Sequence, residues 1–353
     1  MLRLLSLFIL FLTPISSFSQ SSIPFAHFNS HEYWDSFPLS SDATPLQFQS
    51  SDTVMIVASN RVMDTSTFRY LVDRRDKNSI KYFVVYTRHG KRMVRPVYSL
   101  KEAVAMLPDR NRDWVVYTEG MGKFFTSATD RGIKMAAQYG VNVILLDYPS
   151  ISSKKKRLGN YFFAKRNAAM AHKDFAPVLD SIRLLRTAKL MGNGHLSLFF
   201  HSMGNIALRE TIRKGKLEKF NQEQWVDNLI LNAACIPQRG HKKLLDRINF
   251  SENILVHYNP GDFTLGGAYL VSKRYQLGKQ VRKPLSAKAT YINFNTLVNE
   301  GHSYFLNFSN RNPLPEAATQ YYSEILHGKK PNLTDSSRFQ PTTYRNIGYD
   351  ILP

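Results

Sequence analysis

Three residues in one chain order, Ser202, Asp262 and His302, have the side chains needed for nucleophilic acyl transfer. A serine hydroxyl is a weak nucleophile until an imidazole takes its proton, and the imidazole needs a carboxylate to orient it. Ser202 stands in Phe200-His201-Ser202-Met203-Gly204, after the apolar run 195–200 and before a helical segment over 203–214. Strand, sharp turn, serine, helix is an elbow that strains the serine backbone and exposes Oγ. The pattern G-x-S-x-G is half met: Gly204 is present, but Phe200 occupies the first glycine position. Asp262 closes the turn Asn259-Pro260-Gly261-Asp262 after the run 253–258, and His302 lies in Glu300-Gly301-His302-Ser303 after the run 290–295.

Other assignments compete. Asp262 could only cap a turn, since Asp is common after Pro-Gly. Glu300 and Asp147 are alternative acids, and His201, His241 and His257 alternative bases. Asp262 and His302 are preferred because their order and their places at strand ends agree with the elbow. A developing oxyanion also needs backbone N–H donors. Met203, directly after the serine, supplies one. Met121, in Glu119-Gly120-Met121-Gly122, is the expected second, where glycines allow close backbone approach. A phosphate-binding turn at 119–122 would need a fuller glycine fingerprint. The ten histidines show no H-E-x-x-H spacing, so no metal or cofactor is expected.

The elements that must position these residues form a rhythm. Runs 53–59, 80–88, 114–118, 141–147, 195–200, 226–233, 253–258 and 290–295 are rich in β-branched and aromatic residues and read as strands. Helical patterns fall over 126–139, over a long stretch with Phe175, Val178, Leu179, Ile182 and Leu185 on one face, over 203–214 and over 316–327. Pro177 should kink the long stretch or begin a new helix within it. Short apolar runs alternating with amphipathic helices predict an α/β fold, a mostly parallel central sheet with helices on both faces. Active groups then gather at the carboxyl ends of the strands.

Arg3, the short apolar run 4–12, Pro14 and the small residues Ser17 and Ser19 read as a signal peptide over 1–19. The chain is therefore expected to be exported, to periplasm or medium. Residues 20–50 read as an extended lead-in, 51–330 as the main domain and 331–353 as a C-terminal tail. The single cysteine, Cys235, lies in an apolar run and is expected to be a buried small hydrophobe. The formal net charge is +20, with clusters over 154–157, 239–243 and 273–288. Such a surface favours anionic neighbours, a membrane surface or polysaccharide, and no nucleic-acid motif accompanies it. Segments 150–165 and 266–287 are expected to be basic lid loops.

The chain resembles a family of bacterial α/β-hydrolase-fold proteins of largely uncharacterised function, loosely esterase- or lipase-like. The resemblance is carried by VASNR (57–61), EGMGKFFTSATDRGIKMAAQYG (119–140), LLDYPS (145–150), FFHSMGN (199–205), NPGDFTL (259–265) and GHSYFLN (301–307). It implies an α/β-hydrolase fold over about 56–327 and no particular substrate; the triad itself points to a small-molecule or lipid-like acyl compound. The family's loop usually begins His-Gly where this chain has Glu119-Gly120, and its elbow carries Ala or Gly where Phe200 stands. A carboxylate beside the oxyanion loop would oppose the developing charge, and a large ring would crowd the elbow. Two functions are therefore expected: an exported serine hydrolase, or a hydrolase-fold protein with impaired catalysis that binds anionic envelope material.

Overall fold

The computed structural model describes residues 25–40, 48, 52–88, 91–214, 217–308 and 313–353. The expected signal peptide, 1–19, lies outside the described residues. The strands are β1 (Thr53–Ser59), β2 (Arg61–Met63), β3 (Leu71–Arg75), β4 (Lys81–Arg88), β5 (Lys91–Val97), β6 (Trp114–Thr118), β7 (Asn142–Asp147), β8 (Leu196–His201), β9 (Val226–Asn232), β10 (Ser251–Tyr258), β11 (Ala289–Asn293), β12 (Phe339–Pro341) and β13 (Tyr349–Ile351). One sheet runs in the order β12-β13-β11-β10-β9-β8-β6-β7-β1-β4-β5, and β2 and β3 form a separate ribbon. From β13 to β1 the pairings are parallel, while β4, β5 and β12 add antiparallel edges. Every residue of β6, β7 and β8 is buried. That explains why these strands are continuous apolar runs rather than alternating ones.

The helices are α1 (Phe25–Phe28), α2 (His31–Asp35), α3 (Leu100–Ala105), α4 (Phe125–Tyr139), α5 (Arg157–Thr187), α6 (Gly204–Arg213), α7 (Leu217–Phe220), α8 (His241–Leu245), α9 (Phe263–Ser272), α10 (Asn295–Val298) and α11 (Glu316–Leu326). Pro177 lies inside α5, which continues through it for 31 residues. The proline lacks an N–H, so one carbonyl in the preceding turn goes without its usual helical bond.

Three sequence expectations need correction. Residues 25–37, read as extended, form α1 and α2 and bury Tyr33, Trp34 and Phe37. The Trp34 ring meets Tyr70 edge-on at 5.2 Å, and the chain beyond it bonds to β5 through Val94. The tail contains β12 and β13; β13 pairs with β11, and Asn293 donates to Asp350 at 2.7 Å. Three-residue strands are too short to show alternation, so partner strands define them. The two lid segments are not plain loops: 150–165 leads into α5, and 266–287 begins inside α9.

A buried ion pair ties the β1–β2 junction to the end of β7. Arg61 Nε lies 2.8 Å from Asp147 Oδ2, and its Nη2 donates to the carbonyls of Lys123 and Tyr148. Ser59 Oγ donates to the same carboxylate at 2.6 Å. This bonding accounts for the VASNR and LLDYPS segments and engages Asp147 structurally. Replacing Arg61 by Met leaves the Asp147 carboxylate buried without its counter-ion. The expected outcome is a loss of about 3–5 kcal/mol of stability, read from denaturant unfolding.

Candidate active site

The elbow begins where β8 ends. Ser202 has φ 51°, the left-handed region that a side chain enters only under constraint. Asn205, the second residue of α6, supplies that constraint. Its Nδ2 donates to the carbonyls of Phe200 at 2.8 Å and Ser202 at 3.1 Å. Two close approaches demand glycine. A Cβ on Gly204 would stand 2.6 Å from the Thr118 carbonyl oxygen, and one on Gly120 would stand 2.6 Å from Ser202 Cβ. The loop after β6 therefore lies against the serine itself. Phe200 does not block the turn: its ring is buried in the sheet core at 1% exposure.

Asp262 and His302 meet. His302 Nδ1 lies 2.6 Å from Asp262 Oδ2, and Asp262 is fully buried. The other oxygen, Oδ1, accepts from Leu265 N at 2.8 Å and caps α9. Capping and orienting a histidine are thus compatible roles, one carboxylate oxygen to each. Asn259 latches the two loops together. Its Nδ2 donates to the Asn299 and Gly301 carbonyls, both at 2.8 Å, and its Oδ1 accepts from Gly261 N at 2.9 Å. Lys279 Nζ reinforces the turn by donating to the carbonyls of Pro260 and Asp262. The His302 ring sits 4.8 Å, centroid to centroid, from His201, the residue before the serine. Among the described residues no hydrogen bond joins Ser202 Oγ to His302.

Of the expected donors, Met203 follows the serine and Met121 follows Gly120, which packs against it. Neither the Met121 nor the Met203 N–H has an acceptor among the described residues. The Cβ built on Gly120 falls 3.3 Å from Met203 N, so the 119–122 loop reaches this amide. Gly122 N and Lys123 N are instead held by the carbonyl and hydroxyl of Ser150.

Glu119 turns inward rather than toward an oxyanion. It accepts from the Tyr117 hydroxyl, from Gly120 N at 2.8 Å and from Arg131 Nη1 at 3.0 Å. Burial works to raise its pKa, but Arg131 foremost, aided by the Tyr117 hydroxyl, holds the carboxyl well below the usual range. Arg131 also donates to Ser303 Oγ at 3.2 Å, linking the loop after β6 to the loop that carries His302. His201 lies beside this pair, with Nε2 3.6 Å from Glu119 Oε1, and burial keeps its imidazole neutral. Arg131, Asn205 and Asn259 escaped the sequence reading. Arg131 lies twelve residues from Glu119 inside a helix, and Asn259 forty-three from His302, so no local spacing connects them.

The rival assignments have other partners. Glu300 is exposed. His257 bonds Asn232 at 3.1 Å and Tyr321 at 2.9 Å, and burial lowers its pKa to about 3. His241 bonds the Gln238 carbonyl and the Tyr291 hydroxyl. Burial pushes the Cys235 thiol up to about 12, which keeps it protonated. A cleft of about 680 Å³, lined in part by Arg209, Arg213, Arg239, Lys273 and Arg274, runs beside α6, and Ser202, Asp262 and His302 do not line it.

The family described as alpha/beta hydrolase of unknown function (DUF900) matches residues 99–310, more than half of the chain. The chain belongs to that family, and its fold is an α/β-hydrolase fold. Searches of curated proteins and of solved structures find no match.

Because Glu119 has a depressed folded pKa, its stabilising contribution is complete above the ordinary carboxylate value. The contribution disappears as pH falls through the depressed value. Glu119→Gln is therefore expected to be less stable than wild type at about pH 7. The gap should narrow in strong acid, near about pH 2, which chemical denaturation across pH would register.

Proposed function

We propose that this chain is an exported serine hydrolase acting on an ester or related acyl bond, with Ser202 as nucleophile. The observation that carries the reading is the 2.6 Å contact of His302 Nδ1 with a fully buried Asp262, beside a serine in strained left-handed backbone. Membership of a hydrolase-fold family supports the reaction class and leaves the substrate open.

In this reading His302 Nε2 takes the proton from Ser202 Oγ as the oxygen attacks the acyl carbon. The carbonyl π electrons pass to oxygen, where the Met121 and Met203 N–H groups stabilise the negative charge. Asp262 keeps Nδ1 protonated and steadies the imidazolium. Collapse of the intermediate expels the leaving group, which receives the proton from His302. Water, deprotonated by the same histidine, then attacks the acyl-serine; collapse breaks the acyl–Oγ bond, returns the proton from His302 to Ser202 Oγ and releases the acid. The inward turn of Glu119 supports this account, because its charge is met by Arg131. The reading needs a movement that brings His302 onto Ser202 Oγ, as catalytic hydrogen bonds often tighten only when substrate binds.

The missing Ser202–His302 bond also favours a second reading, a binding protein on the same fold. Fluorophosphonate labelling separates the two. Labelling of wild type that disappears in Ser202→Ala is the outcome expected of a hydrolase; a well-folded wild type that never labels is the outcome expected of a binder. Gly120→Ala should slow labelling by on the order of 100-fold, since its methyl would push the donor loop off the serine. Circular dichroism of both variants checks that the fold survives.

A further inference from the structure

Two segments rise from the site itself. The first starts at Ser150, whose carbonyl and hydroxyl bond the 122–123 amides, and runs into the N-terminal turns of α5. The second is α9, capped by Asp262. They meet where the Tyr161 phenol faces Ser272. Both are unusual in charge: no acidic residue occurs from Tyr148 to Lys173, nor from Phe263 to Asn299. Exposed cations edge them, Lys154 to Arg157 with Lys165 and Arg166 on the first, Lys273 and Arg274 on the second.

The same segments hold exposed apolar side chains. Among the described residues ten large hydrophobics are exposed, and six of them lie here: Leu158, Phe162, Phe263, Leu270, Val271 and Tyr275. Leu158 and Phe162 are four residues apart on α5, so they share a face; Phe263 and Leu270, seven apart on α9, share another. Helix α9 (FTLGGAYLVS) has no charged residue, yet it buries only Leu265 and Ala268. A helix with that composition is ordinarily covered on several sides. Its Leu270 is 64% exposed.

We infer that these two segments together form a docking surface for an anionic lipid bilayer, with the apolar side chains entering the headgroup boundary and the surrounding cations meeting lipid phosphates. Apolar anchors alone would equally suit a protein groove. The long acid-free stretches select a negatively charged partner, and the pairing of apolar anchors with cations selects an interface that is apolar within and anionic outside. The cleft at the C-terminal end of α9 is lined by Arg239, Lys273 and Arg274, and by Arg209 and Arg213, which share the Glu210 carboxylate, so it adds net positive charge to the same side. Because one segment begins at Asp262 and the other at Ser150, which holds the amides just after Met121, docking would bring a lipid-like acyl substrate to the elbow. That last consequence rests on the hydrolase reading; the docking itself does not.

The test is co-sedimentation of the full chain with vesicles of phosphatidylcholine alone and of phosphatidylcholine with about three-tenths phosphatidylglycerol. Association is expected with the anionic vesicles only, falling on the order of fivefold for each cation removed. The double variant Phe162→Ser, Leu270→Ser should lose at least tenfold, and as both positions are exposed its circular dichroism should match wild type. Ser202→Ala should bind like wild type, so a failed hydrolase reading leaves this result intact. Equal binding to both vesicle types, no binding to either, or anionic binding unaffected by the double variant would each overturn the inference. So would a stable dimer in light scattering that the double variant dissociates, with no vesicle association.

Discussion

The left-handed backbone at Ser202 is the constraint on which the surrounding structure depends. A non-glycine residue there costs roughly 1–3 kcal/mol unless its neighbours over-determine it. They do so from three directions. The β8 strand is held between β6 and β9 in a buried parallel sheet. The Asn205 amide bridges the two carbonyls that bracket the turn. Gly120 and Gly204 let the loop after β6 and the helix after the serine approach closer than any side chain would permit. The strained turn places one serine, itself largely buried, at the carboxyl edge of the sheet, where the Asn205 amide and the two glycines hold it.

The same economy governs the acid and the histidine. Asp262 divides its oxygens between an N-cap and His302. Asn259 bonds both its own turn and the loop that precedes the histidine. A buried carboxylate is tolerable only when its lone pairs are taken by donors, and this arrangement meets that need while aiming His302. The Glu119–Arg131 pair does comparable work for the opposite loop. A substitution that looked damaging in one dimension is accompanied by a counter-ion from the next helix.

The surface above the site follows a different logic from its floor. The floor is neutral or internally paired: His201 and His257 are kept neutral by burial, and Arg61 and Arg131 have carboxylate partners. The rim is basic and partly apolar. Charge is therefore segregated, with paired ions supporting the fold and exposed cations edging the segments that rise from the elbow.

Much of this was legible in one dimension. The strands β1 and β6 have the limits their β-branched and aromatic runs suggest, and most others differ by one or two residues, because a parallel sheet covered on both faces leaves long apolar runs. Chain order and strand-end location also singled out the pair Asp262 and His302 that the fold brings into contact. The elements missed fall into two kinds: β2, β3 and β5 are short or edge strands that pair with near neighbours, whereas Trp34 needs Tyr70 and Phe125 and β13 needs β11. The same holds for Asn205, Asn259 and Arg131. Amide and guanidinium side chains carry no periodic signal, and what they bond is set by which loops converge. Local residue order by itself determined the parallel α/β alternation and the serine's turn. Only tertiary structure decided which polar groups are paired, because hydrogen bonds between distant loops depend on distance in space rather than in sequence.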